Sequence, residues 1–279
     1  MHVTPGLLLR SVECAAWPER LDGQFPFRLS IFRELGRMEL TRPVTFLVGE
    51  NGSGKSTFLE FLACASGAIT VGSSGVDKDP SLEAVRRLAF YARLSWRKRT
   101  RRGFYLRAED FFGYARRMEE VKTELSSDLA NVDAEYKGHS KMAHDLARMP
   151  YMRELSALER SYGSGLDARS HGESFLLLFQ ERFVPGGLYL LDEPEAPLSP
   201  VRQLGLLAIL QGMVRQEAQF IIATHSPILM AFPGAEILNF EGGKIQPAKY
   251  EELEHVRLTR DFLADPGAFL RQLEREGDE

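Results

Sequence analysis

Three runs of mostly apolar residues are each followed by polar or glycine-rich segments. The runs Val44–Val48, Leu188–Leu191 and Phe220–Ala223 have the composition of strands buried on both faces of a parallel sheet. Residues 1–48 mix short apolar stretches with Pro, Gly and Asp, which indicates antiparallel strands leading into the first of these runs. The pattern predicts an α/β fold with a mainly parallel sheet and an N-terminal antiparallel β element.

A spacing of three to four residues between apolar positions begins at Phe111 and continues to Val132. This spacing predicts one face of a long amphipathic helix, and a weaker helical pattern covers Lys141–Tyr162. No heptad repeat is sustained, so we expect a helical insertion subdomain and not a coiled-coil arm. Two further short helices are predicted at Arg257–Leu263 and Pro266–Leu273.

Composition restricts the class of protein. The 279 residues include 35 Lys and Arg against 39 Asp and Glu, a formal charge of −4, so no overall basicity indicates nucleic acid. No apolar run approaches the roughly 20 residues that span a bilayer, and no secretory signal is recognisable. Cys14 and Cys64 have no metal-ligand spacing and are expected to be small buried residues. We therefore expect a soluble, cytoplasmic protein.

The segment Gly49–Ser56 has the glycine spacing of a phosphate-binding loop. It follows a predicted strand and precedes a predicted helix, the context that a P-loop requires. Its glycines let successive N–H groups point at phosphate oxygens, Lys55 is expected on the β- and γ-phosphates, and Ser56 on Mg²⁺. An ordinary glycine-rich loop is the alternative, at a chance of roughly one in a hundred. The predicted nucleotide-binding residues here are Glu50, Asn51, Gly52, Ser53, Gly54, Lys55, Ser56 and Thr57.

Two later strands end in residues suited to hydrolysis. Asp192 and Glu193 follow one strand, where Asp192 is predicted to hold the metal and Glu193 to activate water. His225 follows the next strand, where its imidazole is predicted to contact the γ-phosphate or the attacking water. Solvated carboxylates and a capping histidine are the structural alternatives.

A third segment precedes the Asp-Glu strand. Ser170 and Glu173 have the spacing of a capping box, and with Gly172 they also offer exposed N–H groups to an anion. Both interpretations can hold together.

These motifs together resemble an ATP-binding cassette (ABC) ATPase, with Gly49–Ser56 as Walker A, Ser170–Glu173 as the signature and Leu188–Asp192 as Walker B. Glu193 corresponds to the catalytic glutamate and His225 to the switch histidine. The signature has Glu173 where transporters usually have Gln, and in this it resembles the RecF-like and structural-maintenance-of-chromosomes branch. The segments around Asp192 and His225 also resemble bacterial stand-alone predicted ATPases.

The resemblance implies a P-loop NTPase that binds and hydrolyses ATP with Mg²⁺. It implies one domain over 1–279, with 1–65 and 166–279 forming the nucleotide-binding core and about 80–165 a helical insertion. It also implies a homodimer that forms head to tail on ATP binding, each nucleotide lying between one subunit's Walker motifs and the other's signature.

The chain departs from the family pattern at three places. His171 replaces a signature glycine, and Ser199 stands where an aspartate is usual. No Gln occurs between Gln24 and Gln180, so the glutamine that normally contacts the metal is missing. Glu109, in the segment Arg107-Ala108-Glu109, is the predicted replacement near Mg²⁺.

The partner is left open. Five basic residues in Arg97–Arg102, flanked by aromatics, are compatible with a DNA backbone contact, but a solvated loop explains them as well. DNA repair, DNA metabolism or genome defence is the leading expectation. The alternatives are the nucleotide-binding subunit of a membrane transporter, or a slow ATP-dependent switch for a protein partner.

Overall fold

The computed structural model describes residues 6–70, 79–162 and 171–276. For residues 108–112, 114–119, 157–162, 171–174 and 272–276 it describes the backbone alone. The predicted signature residue Ser170 lies outside the described residues.

Ten strands form two sheets in the described part of the chain. Six parallel strands and one antiparallel edge strand make the larger sheet, in the order β10-β9-β3-β8-β7-β6-β4, and the smaller antiparallel sheet has the order β2-β1-β5. The predicted α/β fold, with a mainly parallel sheet and an antiparallel element, is confirmed. The strands are β1 (Leu9–Cys14), β2 (Met38–Glu39), β3 (Val44–Val48), β4 (Ile69–Thr70), β5 (Ala92–Trp96), β6 (Gly103–Arg107), β7 (Leu188–Asp192), β8 (Gln219–Ala223), β9 (Glu236–Asn239) and β10 (Gln246–Pro247).

Helices cover both faces of the larger sheet. The helices are α1 (Ser30–Arg33), α2 (Lys55–Ser66), α3 (Glu83–Ala89), α4 (Ala108–Glu135), α5 (Lys141–Tyr162), α6 (His171–Arg182), α7 (Pro200–Val214), α8 (Pro227–Met230), α9 (Glu254–Ala264) and α10 (Pro266–Glu276). Successive strand residues point to opposite faces, so Phe46 joins a cluster with α6 and α7 whereas Leu47 joins a cluster with α1, α2 and α3.

The region expected as a helical insertion contains both sheet strands and helices. β5 pairs with β1, and β6 pairs with β7, so residues up to Arg107 contribute to the sheets. The helices α4 and α5 pack against each other and are joined by residues 136–140, which makes an antiparallel hairpin. The long helical hairpin of the region therefore begins at Ala108, and the short helix α3 precedes the two strands.

Cys14 and Cys64 are free and half-buried, and burial raises the pKa of each thiol to about 11, which agrees with a packing role. Across 6–70, 79–162 and 171–276, no helix has the length and apolar content that crossing a bilayer requires.

Candidate nucleotide-binding site

The carboxyl ends of the parallel strands place the predicted site residues along one edge of the sheet. Arg107 at the end of β6 is in register with Asp192 at the end of β7, and Asp192 with Ala223 at the end of β8. β3 lies beside β8 and delivers the P-loop to the same edge. Residues far apart in the sequence therefore meet where α/β folds bind ligands.

The P-loop backbone uses glycine where other residues would be strained. Gly49, Gly52 and Gly54 have positive φ angles of 135°, 81° and 100°. A Cβ on Gly54 would lie 2.5 Å from Cδ1 of Ile31, so α1 also packs closely against the loop. Gly54 is the N-cap of α2, whose amino end consequently opens onto the loop.

The Lys55 side chain folds back onto the first residues of the P-loop. Its Nζ donates to the carbonyl oxygens of Gly49 at 2.8 Å and Glu50 at 2.9 Å. Burial lowers the pKa of the Lys55 ammonium, and the carboxylates of Glu193 and Asp192 oppose this change. The cation is thus held at the mouth of the loop, within the field of both acids.

The hydroxyl groups of Ser56 and Ser53 lie where a magnesium ion and a phosphate would need ligands. Ser56 Oγ donates to Asp192 Oδ1 at 3.2 Å, so the two predicted metal ligands are adjacent. Ser53 Oγ is buried and forms no hydrogen bond within the part of the chain that the structure describes. A phosphate oxygen would satisfy this hydroxyl, and Mg²⁺ suits one hydroxyl and one carboxylate because it keeps waters and phosphates as its other ligands. The residues fit both groups.

Asp192 is the more buried of the paired acids. The pKa of its carboxyl group is raised to about 6, chiefly by burial and also by Glu193, while the Ser56 hydrogen bond and Lys55 act in the opposite direction. Among the described residues no three His, Cys, Asp or Glu side chains form a metal cluster. Among the described side chains, the Asp192 carboxylate and the Ser56 hydroxyl lie together as candidate metal donors.

Glu193 and His225 face each other across the ends of β7 and β8. Glu193 has a positive φ of 48°, uncommon for a residue with a side chain, and its N–H donates to the Ala223 carbonyl at 2.9 Å. His225 Nε2 lies 3.8 Å from Glu193 Oε1. Burial and Lys55 lower the pKa of His225, whereas Glu193 raises it. The structure brings together the two residues predicted to act in hydrolysis.

Glu195 is a residue of this site that we did not identify from the sequence. Its Oε1 accepts a hydrogen bond from the His225 backbone N–H at 2.8 Å, and burial raises the pKa of its carboxyl group. Ser226 Oγ donates to Gln203 Oε1 at 2.5 Å, which ties the same turn to α7. The His225 turn is thus fixed from two sides. The position of Glu195, two residues beyond Glu193, was the only available signal.

Arg107 occupies the edge position next to Asp192. Its Nη2 lies 3.1 Å from Glu60 Oε1 on α2, and its Nε donates to the Tyr105 hydroxyl at 3.2 Å. Glu109 follows in the first turn of α4, where the structure describes the backbone alone. The segment predicted to replace the missing glutamine lies beside Walker B, and the metal contact of Glu109 stays a prediction.

The predicted signature residues are only partly described. Gly172 and Glu173 belong to the first turn of α6 by backbone position, and their side chains, like all of Ser170, lie outside the described residues. Their role in nucleotide binding stays a prediction.

Trp17, Phe27 and Tyr91 form an aromatic cluster. Phe27 is buried and packs edge-to-face on Trp17 at 5.5 Å and on Tyr91 at 6.0 Å.

A cavity of about 350 Å³ borders the P-loop and is lined by Leu29–Ile31 and Phe240–Gly243. This cavity is where the loop leaves room for a group attached to the phosphates.

The basic run Arg97–Arg102 lies at the opposite end of the parallel strands from the P-loop. It joins β5 to β6 and precedes β6, so it is at the amino ends of the parallel strands. Lys98 Nζ lies 3.5 Å from Glu217 Oε2, and Arg102 Nη1 donates to the Pro185 carbonyl at 3.2 Å. A ligand on this run would therefore not touch the P-loop.

Residues 27–142 match the family described as AAA domain, a stretch that includes the P-loop and ends before Walker B. No curated protein sequence matches the chain.

Solved structures with a similar fold include two ATP-binding cassettes and one Smc head domain. A nucleotide-free ATP-binding cassette from an ABC transporter is 16% identical, with 93% of this chain and 96% of that chain covered and a TM-score of 0.46. The Smc head domain from Pyrococcus furiosus, bound to the C-terminal domain of ScpA, is 11% identical, with 91% and 99% covered and a TM-score of 0.44. A dimeric ATP-binding cassette bound to ADP and phosphate is 14% identical, with 88% and 99% covered and a TM-score of 0.40. At these values the likeness carries no functional argument.

The match at residues 27–142 covers the predicted P-loop, and the remaining Walker residues lie at the same sheet edge. The predicted resemblance to an ABC- or SMC-like ATPase and the predicted ATP hydrolysis are confirmed to that extent. Residues 27–142 match the AAA domain family, and the chain is an ATPase.

Proposed function

We propose that the chain hydrolyses Mg-ATP by an ABC-type mechanism in which Glu193 activates the attacking water and His225 contacts the γ-phosphate. The observation that carries this proposal is the convergence of Ser56, Asp192, Glu193 and His225 at one sheet edge. Lys55 neutralises the β- and γ-phosphates, and the N–H groups of residues 50–57 bind phosphate oxygens. A metal held by Ser56 and Asp192, and by Glu109 where the usual glutamine is missing, would offset the charge that develops during phosphoryl transfer.

The chemistry of Glu193 depends on its contacts. A carboxylate 3.8 Å from an imidazole can take a proton from water while the neutral imidazole donates to an oxyanion. The lowered pKa of His225 supports a neutral ring at pH 7. Both side chains are about half-exposed, so this edge is open to solvent until something covers it.

We further propose that a second copy covers it. In a head-to-tail homodimer, Ser170, Gly172 and Glu173 of one copy close the nucleotide site of the other. ATP joins the copies because the γ-phosphate is contacted from both sides, and hydrolysis removes that contact. The open edge and the position of the signature segment before β7 support this arrangement.

The decisive experiment is the solution mass of the Glu193→Gln variant with Mg-ATP, with ADP and without nucleotide. A dimer that forms only with Mg-ATP, and that is lost when Ser170→Arg is added, is the expected result. A monomer in every condition despite tight ATP binding would reject the homodimer. Lys55→Ala serves as the control that removes nucleotide binding itself.

The cellular role that we propose is work on DNA, in repair, metabolism or genome defence, within the cytoplasm. The basic run Arg97–Arg102 supports it, because phosphate contacts require clustered cations. DNA affinity that falls with salt and is lost when Arg99 and Arg101 are changed to Gln is the expected result. Absence of binding at low salt, with ATP turnover indifferent to DNA, would reject this role.

A further inference from the structure

The helix α5 carries an exposed apolar stripe made of Met142, Leu146, Met149 and Met152. Their exposed fractions are 74%, 55%, 44% and 45%. Spacings of four, three and three residues place them on one side of the helix over about 15 Å. Single exposed apolar residues are ordinary, but four in one stripe indicate a contact surface, and methionine adapts well to such surfaces.

The stripe faces away from the rest of the hairpin. His144 Nε2 and Arg148 Nε lie 3.0 Å and 3.3 Å from Asp133 Oδ1 on α4, which identifies the side of α5 that packs on α4. The residues on that side are half-buried: Ala143, His144, Ala147, Arg148, Tyr151 and Leu155. The α5 stripe lies on the opposite side and is open to another molecule.

Charged residues flank the stripe in a self-complementary order. Asp145 precedes Leu146, and Arg153 follows Met152, and both are exposed. Two α5 helices related by a twofold axis perpendicular to the helix axis run antiparallel. If Leu146 of each copy packs on Met149 of the other, Arg153 of one copy comes beside Met142 and Asp145 of the other. The twofold contact then contains two ion pairs, one at each end, and the apolar stripe of each copy covers that of the other.

We propose that the α5 stripe binds the same stripe of a second copy of this chain, in the antiparallel arrangement just described. The contact is independent of nucleotide and separate from the head-to-tail dimer. Four side chains bury much less than the roughly 1,200 Å² of a standard interface, so the association is weak by itself. It raises the local concentration of heads and so favours any dimer that ATP forms.

Charge reversal tests the proposal without nucleotide. Asp145→Arg leaves two arginines facing each other at each end of the pair, and Arg153→Asp leaves two aspartates. Each variant alone should associate about tenfold more weakly than the wild type, because a like-charge contact replaces an ion pair. An equimolar mixture of the two variants restores both ion pairs and should form a heterodimer with wild-type affinity. Sedimentation velocity measures the association, and native mass spectrometry distinguishes the heterodimer from the homodimers.

Glu154→Arg is the matched control, since it makes the same charge change as Asp145→Arg at an exposed α5 position outside the stripe. Its association should equal that of the wild type, and Met149→Glu should abolish association with the helix content unchanged. A wild type that stays monomeric at every attainable concentration would overturn the proposal, as expected if the stripe binds a different protein. A mixture that associates no better than its components would also overturn it. The ATP-dependent mass of Glu193→Gln is scored separately, so failure of one dimer does not decide the other.

Discussion

The Gln219 side chain forms hydrogen bonds with both backbone polar groups of Leu9. Gln219 Oε1 accepts from the Leu9 N–H at 2.7 Å, and Nε2 donates to the Leu9 carbonyl at 3.0 Å. Oε1 also accepts from the Leu8 N–H at 2.8 Å. Because Gln219 begins β8 and Leu9 begins β1, this fully buried amide joins the two sheets.

Replacement of this amide should be costly. Gln219→Leu keeps the approximate size but leaves two buried N–H groups without an acceptor, so we expect the free energy of unfolding to fall by about 2–3 kcal/mol. Urea denaturation measures the change. Gln216→Leu is the control, since Gln216 is exposed and donates only a long bond of 3.4 Å to Gly212. Equal effects of the two substitutions would contradict the inter-sheet role.

Gly103 marks the point where the basic run enters β6. It has a positive φ of 112°, and a Cβ there would clash with the Leu188 carbonyl on β7. Gly103→Ala should therefore destabilise the protein by more than about 2 kcal/mol and lower its soluble yield. Gly36→Ala has open space around the added methyl and should have little effect in the same thermal unfolding assay. Similar unfolding temperatures for the two variants would refute the close approach.

Glu195 should act as a positioning residue for the His225 turn. Glu195→Ala removes the acceptor of the His225 N–H, so the imidazole loses its fixed position and kcat should fall about tenfold with KM for ATP nearly unchanged. Glu195→Gln keeps an oxygen acceptor and should retain most of the activity. Steady-state ATPase assays with both variants give the result. A loss with Gln as large as with Ala would mean that the negative charge of Glu195 matters, and not its hydrogen bond.

The protonation of His225 should depend on Glu193. Burial and Lys55 lower the pKa of His225 below 6.5, and Glu193 raises it, so Glu193→Gln should lower the pKa further. Between the native pKa and 6.5 the unfolded state binds more protons, and His225 therefore makes stability rise with pH across this window. NMR titration of isotope-labelled histidine, assigned with His225→Gln, measures both values. A His225 pKa that rises in Glu193→Gln would contradict the contact.

Local patterns were sufficient for the sheet and the Walker residues. The runs around Phe46, Leu190 and Ile221 are buried on both faces, and such strands have a recognisable composition. The order of motifs then placed Asp192 beside Ser56, because parallel strands end at a common edge.

Contacts between distant segments could not be read in this way. Gln219 and Glu195 act through side-chain geometry with Leu9 and His225, and nothing in their local sequence indicates a partner 210 residues away or across a turn. Strand β6 was not predicted, because it has only five residues and lies between the basic run Arg97–Arg102 and a long helical pattern. Apolar spacing in α5 indicated a helix but not which side would stay exposed.

The strand order has a consequence for where this chain can be changed. β3 comes from the first fifth of the sequence, yet it lies between β8 and β9, which come from the last quarter. Backbone hydrogen bonds on both sides of β3 therefore hold the two ends of the chain together. Residues 136–140, at the tip of the α4–α5 hairpin, lie outside both sheets and join the two halves of the chain covalently. A chain cleaved at this tip, or carrying a fused domain there, should remain one folded molecule with its nucleotide-binding site intact.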